Sequence, residues 1–178
     1  MTDRDELKSI LIKRSILKGD FALTSGRKSS YYINGKMTSL NSRGLFLAAK
    51  LLLDLSSEEE YDAFAGPVIG ADPLIGALLT LCAERGLEKE GILIRKESKE
   101  HGTKSKLEGR LEEGMRVILL EDVATTGGSL LKAADAIIES GGMIVSIYTL
   151  VDREEGAPER IAEAGFEFRS LFKVSELL

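Results

Sequence analysis

The stretch Val117-Ile118-Leu119-Leu120-Glu121-Asp122-Val123-Ala124-Thr125-Thr126-Gly127-Gly128-Ser129 concentrates the groups best placed to do chemistry in this 178-residue chain. Its apolar residues read as a buried strand, and two adjacent carboxylates sit where that strand emerges. A loop of Thr, Gly and Ser then leads straight into a helix. Small residues let backbone N–H groups approach an anion closely, hydroxyls add donors, and a helix N-terminus contributes a positive field. Carboxylates immediately before such a loop would repel a bare phosphate, but they accept hydrogen bonds from sugar hydroxyls. The pattern therefore predicts a ligand that carries sugar hydroxyls beside a phosphate, the layout of a phosphoribosyl group. A Walker-B strand would need a G-x-x-x-x-G-K-[ST] partner, which the chain lacks. G-x-G-x-x-G is also absent, because Gly66, Gly70 and Gly76 are spaced wrongly.

A second cluster is cationic. Residues 95–110 contain Arg95, Lys96, Lys99, Lys104, Lys106 and Arg110 against Glu97, Glu100 and Glu108, a local charge of +3 within a chain of net charge −5. A compact basic segment on an acidic protein suits a small polyanion and argues against nucleic acid, which needs an extended basic surface. Residues 97–106 are too polar to pack, so they are expected to order when ligand arrives and then to exclude water. The bland alternative for this segment alone is a solvated hairpin tip.

The elements that would position these groups alternate regularly. Asp3 and Glu6 resemble a capping pair, followed by Leu7, Ile10, Leu11 and Leu17 at helical spacing. Turn dipeptides Ser25-Gly26 and Asn34-Gly35 flank a short strand or hairpin around Ser29-Ser30-Tyr31-Tyr32-Ile33. A helix opens at Asn41 or Ser42 and runs to Leu55. Strands are then expected at 61–65, 91–96, 115–121, 143–151 and 166–170, with helices at 72–85, 128–140 and 158–164. Asp72-Pro73 would cap the first of these helices, and Gly141-Gly142 would end the second. This alternation predicts an α/β fold with a mostly parallel central sheet covered on both faces. Ligands of such sheets sit beyond the carboxyl ends of the strands.

Composition bounds the rest. Length and the 43% hydrophobic, 30% charged composition fit one globular domain spanning 1–178. One cysteine, Cys82, cannot form an internal disulfide, and one histidine, His101, leaves no zinc-ligand spacing. No apolar run reaches the roughly 18 residues of a membrane span, and nothing near the start reads as a signal peptide. A cytoplasmic location is expected.

The 117–129 run resembles the phosphoribosyl-pyrophosphate (PRPP) signature of type I phosphoribosyltransferases. Three further segments narrow the resemblance to the orotate phosphoribosyltransferase family. Leu23-Thr24-Ser25-Gly26-Arg27-Lys28-Ser29-Ser30-Tyr31-Tyr32-Ile33-Asn34 is similar to its N-terminal motif. Arg95-Lys96-Glu97-Ser98-Lys99-Glu100-His101-Gly102 is similar to its mobile catalytic loop, and Asp152-Arg153 stands where it places an orotate-contacting Arg. The four segments occur in the family's order between about residues 5 and 170.

The resemblance implies a type I phosphoribosyltransferase fold with a small N-terminal hood (about residues 1–40) and a mobile catalytic loop (about 95–110). It implies a pentosyltransferase that moves phosphoribose from PRPP to orotate with Mg²⁺ bound mainly through PRPP, yielding orotidine 5′-monophosphate and pyrophosphate in pyrimidine biosynthesis. On that pattern Arg95, Lys96, Lys99 and His101 grip the pyrophosphate, with Lys99, His101 and Asp122 in catalytic positions. Glu121 and Asp122 hold the ribose hydroxyls, and Val123, Ala124, Thr125, Thr126, Gly127, Gly128 and Ser129 complete the PRPP site. Orotate falls to Tyr32, Ile33, Thr125 and Arg153, since Arg binds carboxylates in a two-pronged fashion. A homodimer sharing the mobile loop between subunits is also implied. The chain departs from the family at Thr24 and Gly70, where many members have Lys, and carries Glu121-Asp122 where Asp-Asp is commoner.

Two other readings share the phosphate loop. A purine-base phosphoribosyltransferase would need neither the carboxylate-binding Arg nor the Ser-Gly/Tyr-Tyr motif. A non-catalytic PRPP-sensing regulator would need a nucleic-acid face, for which about 20 residues ahead of the first motif and an acidic surface are a poor match.

Overall fold

Residues 1–22, 28–95 and 106–178 are described by a computed structural model of the chain. The chain opens with helix α1 (Asp3–Arg14), then strands β1 (Ile16–Ala22) and β2 (Lys28–Ile33), the one-turn helix α2 (Lys36–Ser39) and helix α3 (Ser42–Leu55). Strand β3 (Ala63–Pro67), helix α4 (Asp72–Glu84), β4 (Glu90–Ile94) and the short β5 (Leu107–Glu108) follow. The chain continues through β6 (Arg116–Ala124), α5 (Gly128–Glu139), β7 (Met143–Asp152), α6 (Ala157–Glu163) and β8 (Phe168–Lys173).

Six strands form one sheet in the order β5-β4-β3-β6-β7-β8, parallel throughout except for the antiparallel β4–β5 pair. Strand alternation sorts its side chains onto two faces. Ile118 and Leu120 of β6 join Leu47 and Leu52 of α3, Leu74 and Leu78 of α4, and Leu7 and Leu11 of α1. Val117 and Leu119 join Leu130, Ala134 and Ile137 of α5 and Ile161 of α6. Each large apolar side chain fully removed from water contributes about 1.5–3 kcal/mol. Both strand faces need cover, hence the continuous apolar runs in β6 and β7.

From β3 the chain winds outward to β4 in one direction, and from β6 to β7 and β8 in the other. The carboxyl ends of β3 and β6 thus flank the switch point where open α/β sheets form their binding crevice. The antiparallel β1–β2 pair stands apart as a two-stranded sheet, tied to the first face through Ile16 and Ile33. No helix among the described residues is long and apolar enough to cross a membrane.

Several expected boundaries move. The capping box of α1 is Thr2 with Asp5, each side chain bonding the other's backbone N–H, and not Asp3 with Glu6. Leu17, which continues the helical spacing in sequence, lies in β1 and is half exposed, because the helix stops at a C-cap on Ser15. Asp72 and Pro73 occupy the first positions of α4, whose N-cap is Ala71. β3 and β8 begin two residues later than expected. β5 and α2 carry too short a pattern to be read from sequence.

At the amino ends of β3 and β6, Asp62 grips Arg116. One carboxylate oxygen accepts from the Arg116 backbone N–H at 2.9 Å and from Nε at 3.1 Å, and the other accepts from Nη2 at 3.0 Å. This pairing lowers the Asp62 pKa to about 2. A folded-state value below the ordinary one makes the pair stabilising above about pH 4, with the contribution lost as pH falls through about 2. The pair is partly exposed, so its contribution is about 1 kcal/mol or less. Asp62→Asn is expected to lower the melting temperature by about 2–4 °C at pH 7. In thermal melts the gap from wild type should close between about pH 4 and pH 2.

Candidate active site

β6 runs past the expected end at 121 and carries Glu121, Asp122 and Ala124 within the strand. Glu121 is half-buried, while Asp122 is 7% exposed and enters the crevice between β3 and the β1–β2 layer. A Cβ at Gly35 would lie 2.7 Å from Asp122 Oδ2, and one at Gly70 would lie 2.6 Å from Oδ1. Two glycines from separate segments therefore close on one carboxylate, and any side chain at either position would displace it.

The polar contacts of Asp122 are few. Oδ1 accepts the Val123 backbone N–H at 3.0 Å. Lys36 Nζ stands 3.8 Å from Oδ2, which is buried with no hydrogen-bond partner. Burial pushes the Asp122 pKa up, with Lys36 and the Val123 N–H opposing. Asn34 Oδ1 is likewise buried and unpartnered. Buried acceptors without donors are rare in folded proteins, and they are what a ligand rich in hydroxyls would satisfy.

Beyond β6 the chain turns at Gly127, whose φ of 74° is left-handed and readily adopted only by glycine. A Cβ there would also press on Ile161 at 3.2 Å. Gly127 is the N-cap of the 12-residue helix α5 and provides no side-chain cap. Thr126 and Ser129 are exposed at this helix start. Hydroxyls and first-turn N–H groups thus point to solvent where an anion is favoured. A solvent-open cleft of about 540 Å³ on the outer side of α5 is lined by Lys132, Asp135 and Arg160 and shares only Gly128 with this loop.

Arg153 follows β7 directly. Its backbone N–H donates to Ala124 O at 2.9 Å, which sets it beside Thr125. The turn beyond it is fixed by the Glu154 N–H donating to Asp152 Oδ1 at 2.8 Å, with Glu154 in the left-handed region at φ 56°. The guanidinium is 6% exposed, and its carbon stands 5.4 Å from the centre of the Tyr31 ring. Nη2 forms an ion pair with Glu155 Oε1 at 2.9 Å outside hydrogen-bonding geometry, and Nε lacks a partner. A guanidinium withdrawn from water with Nε unspent is suited to receive a planar anion such as a carboxylate.

Comparison with known proteins agrees. The family model of the phosphoribosyl transferase domain matches residues 38–169. The orotate phosphoribosyltransferase of Rhodopseudomonas palustris (strain BisB18) is 44% identical over 98% of this chain and 96% of its own length. The chain belongs to the orotate phosphoribosyltransferase family. The Pyrococcus horikoshii member is 43% identical over 99% of this chain and 94% of its own length. A crystal structure of the Mycobacterium tuberculosis H37Rv enzyme in complex with PRPP is 31% identical, with a TM-score of 0.84 and 99% of each chain covered.

The structure gathers Asp122, residues 123–129 and Arg153 around the ends of β6 and β7. Arg95 follows β4, with Nη1 3.2 Å from Glu108 Oε1. Lys96, Lys99 and His101 lie outside the described residues, as do Thr24, Ser25, Gly26 and Arg27. Ile33 packs into the core, and Tyr32 is partly exposed with its ring 5.7 Å from that of Phe21. The aromatic ring beside Arg153 is that of Tyr31. Sequence reasoning missed Tyr31, Gly35 and Lys36 as neighbours of the acid or the guanidinium. A period-2 reading of β2 would have separated Tyr31 from Tyr32. No signal in one sequence pairs Gly35 with Gly70.

The burial of Asp122 yields a prediction about stability. A carboxylate held ionised against desolvation costs the fold free energy at pH 7. Asp122→Asn is therefore expected to melt at the same temperature as wild type, or up to about 3 °C higher, without ligand. A calorimetric melt showing a clear decrease would contradict this account of the site.

Proposed function

We propose that this chain transfers the 5-phosphoribosyl group from PRPP to orotate, forming orotidine 5′-monophosphate and pyrophosphate. The observation that carries the reading is the buried Arg153 guanidinium, with Nε unpartnered and Nη2 held only by an off-line ion pair to Glu155, set next to Thr125 at the start of the phosphate loop. A pyrimidine carboxylate is the feature that distinguishes orotate from uracil and from purine bases, and Arg153 supplies its counterpart.

In this reading the 5′-phosphate rests on the backbone N–H groups and hydroxyls of residues 124–129, and Asp122 accepts from a ribose hydroxyl. Glu121 accepts from a neighbouring ribose hydroxyl. The bond from C1 to the pyrophosphate oxygen breaks with its electron pair leaving on pyrophosphate, and a ring nitrogen of orotate forms the new bond to C1. The centre at C1 is electron-poor during this exchange, so a nearby Asp122 carboxylate opposes the developing positive charge.

Arg95, Lys96, Lys99 and His101 take the departing pyrophosphate, with His101 as a contact or proton relay. Mg²⁺ is a hard ion that binds through few carboxylates plus substrate phosphates; carried on PRPP, it would spread the charge of the leaving oxygens. Tyr32 and Ile33 border the pyrimidine chiefly through backbone groups.

The proposal extends to a homodimer with the 95–110 loop shared between subunits. Exposed Met37, Leu40 and Phe46 on α2 and the start of α3 support it as apolar surface a second copy would cover. A cytoplasmic location completes it.

A spectrophotometric assay of base consumption with PRPP and Mg²⁺ tests the reading, with adenine, hypoxanthine and uracil in parallel. Orotate alone should be consumed, and only with both PRPP and Mg²⁺ present. Arg153→Met should raise KM for orotate by about 10- to 150-fold, the range for losing hydrogen bonds to a charged group, while KM for PRPP changes little. Turnover of a purine in place of orotate, or PRPP-dependent thermal stabilisation without turnover, would overturn it.

A further inference from the structure

Lys36 is the first residue of α2, a one-turn helix whose place is fixed by buried contacts. Thr38 and Ser39 are fully buried, and Thr38 Oγ1 lies 2.7 Å from Ser15 Oγ. Asn34 O and Gly35 O accept the N–H groups of Met37 and Thr38 at 3.1 and 2.9 Å, while Arg14 Nε donates to Met37 O at 3.1 Å. The backbone at Lys36 is therefore held by the end of α1 and by the turn that follows β2, directly after the glycine that abuts Asp122.

From that anchor the ammonium reaches to 3.8 Å from Asp122 Oδ2, too long for a hydrogen bond and close enough for an ion pair. The pair is asymmetric: the Lys36 side chain is 45% exposed and that of Asp122 10%. Among the described residues Lys36 is the only cation paired with Asp122, and Oδ2 has no other polar partner. An exposed ion pair with these features would count for little. Here one member is a buried carboxylate pressed between Gly35 and Gly70, so its direction is set by those glycines and by the one cation facing it.

We propose that Lys36 is a positioning residue of the transfer reaction, aiming the Asp122 carboxylate at the ribose. The inference rests on the PRPP site proposed above. Its mark is that Lys36 acts through Asp122 and not through contacts of its own with the ligand.

A double-mutant cycle of wild type, Lys36→Met, Asp122→Asn and the pair separates the two. It is read as kcat and KM for PRPP with orotate and, independently, as the PRPP Kd by calorimetry. Lys36→Met should reduce kcat/KM for PRPP by about tenfold, within the range for directly coupled residues. Lys36→Arg should recover most of it, and all variants should melt within about 3 °C of wild type. In the Asp122→Asn background the same Lys36 change should cost less than about twofold.

Equal costs of Lys36→Met in both backgrounds would overturn the proposal, as would a Lys36→Met enzyme with wild-type constants. If the wild type binds PRPP without consuming orotate, the function reading fails, and the cycle on PRPP Kd still decides the role of Lys36. If the wild type binds no PRPP, both fall.

Discussion

One constraint organises this molecule: a carboxylate must be kept inside the protein without being satisfied by it. Asp122 sits near the carboxyl end of the central strand β6, covered by Gly35 on one side and Gly70 on the other, with one oxygen unpartnered. An ordinary core would fill that place with an apolar side chain and gain from it. The arrangement makes sense only if a ligand completes the hydrogen bonding, so the burial that destabilises the free protein becomes affinity when the ligand arrives. Functional sites are where folds keep such unfavourable groups.

The surrounding elements follow from meeting that constraint. Parallel β3 and β6 part at the switch point and leave room beyond their ends, while α3 and α4 seal one face and α5 and α6 the other. The β1–β2 pair and α2 bring Gly35 and Lys36 over the acid. The end of β7 delivers Arg153 opposite Tyr31, again buried and with Nε unspent. An acceptor, a buried guanidinium and a helix N-terminus thus stand together around the ends of β6 and β7. Their chemistries differ enough to recognise a sugar hydroxyl, a carboxylate and a phosphate separately.

Much of this was legible in the sequence because it is local. The 117–129 run announces strand, acids, glycine turn and helix within a few residues, and each of those features reappears in the structure. The parallel sheet was legible too, since strands buried on both faces read as continuous apolar runs. What stayed hidden was contact between distant segments. Gly35 and Gly70 meet only because β3 and β2 end beside β6, and their lack of a side chain carries no local pattern at either place. Tyr31 and Tyr32 are equivalent in composition and differ only in which face of β2 they occupy. The capping box of α1 was misplaced by one residue because Thr2–Asp5 and Asp3–Glu6 offer the same spacing.

The most direct test of the account is a crystal structure of the chain with orotidine 5′-monophosphate bound. The account predicts the pyrimidine carboxylate at about 3 Å from Arg153 Nε and Nη2, a ribose hydroxyl on Asp122 Oδ2, and the phosphate on the N–H groups at the start of α5. A carboxylate bound elsewhere, with Arg153 still turned toward Glu155 and Asp122 Oδ2 still without a donor, would contradict it.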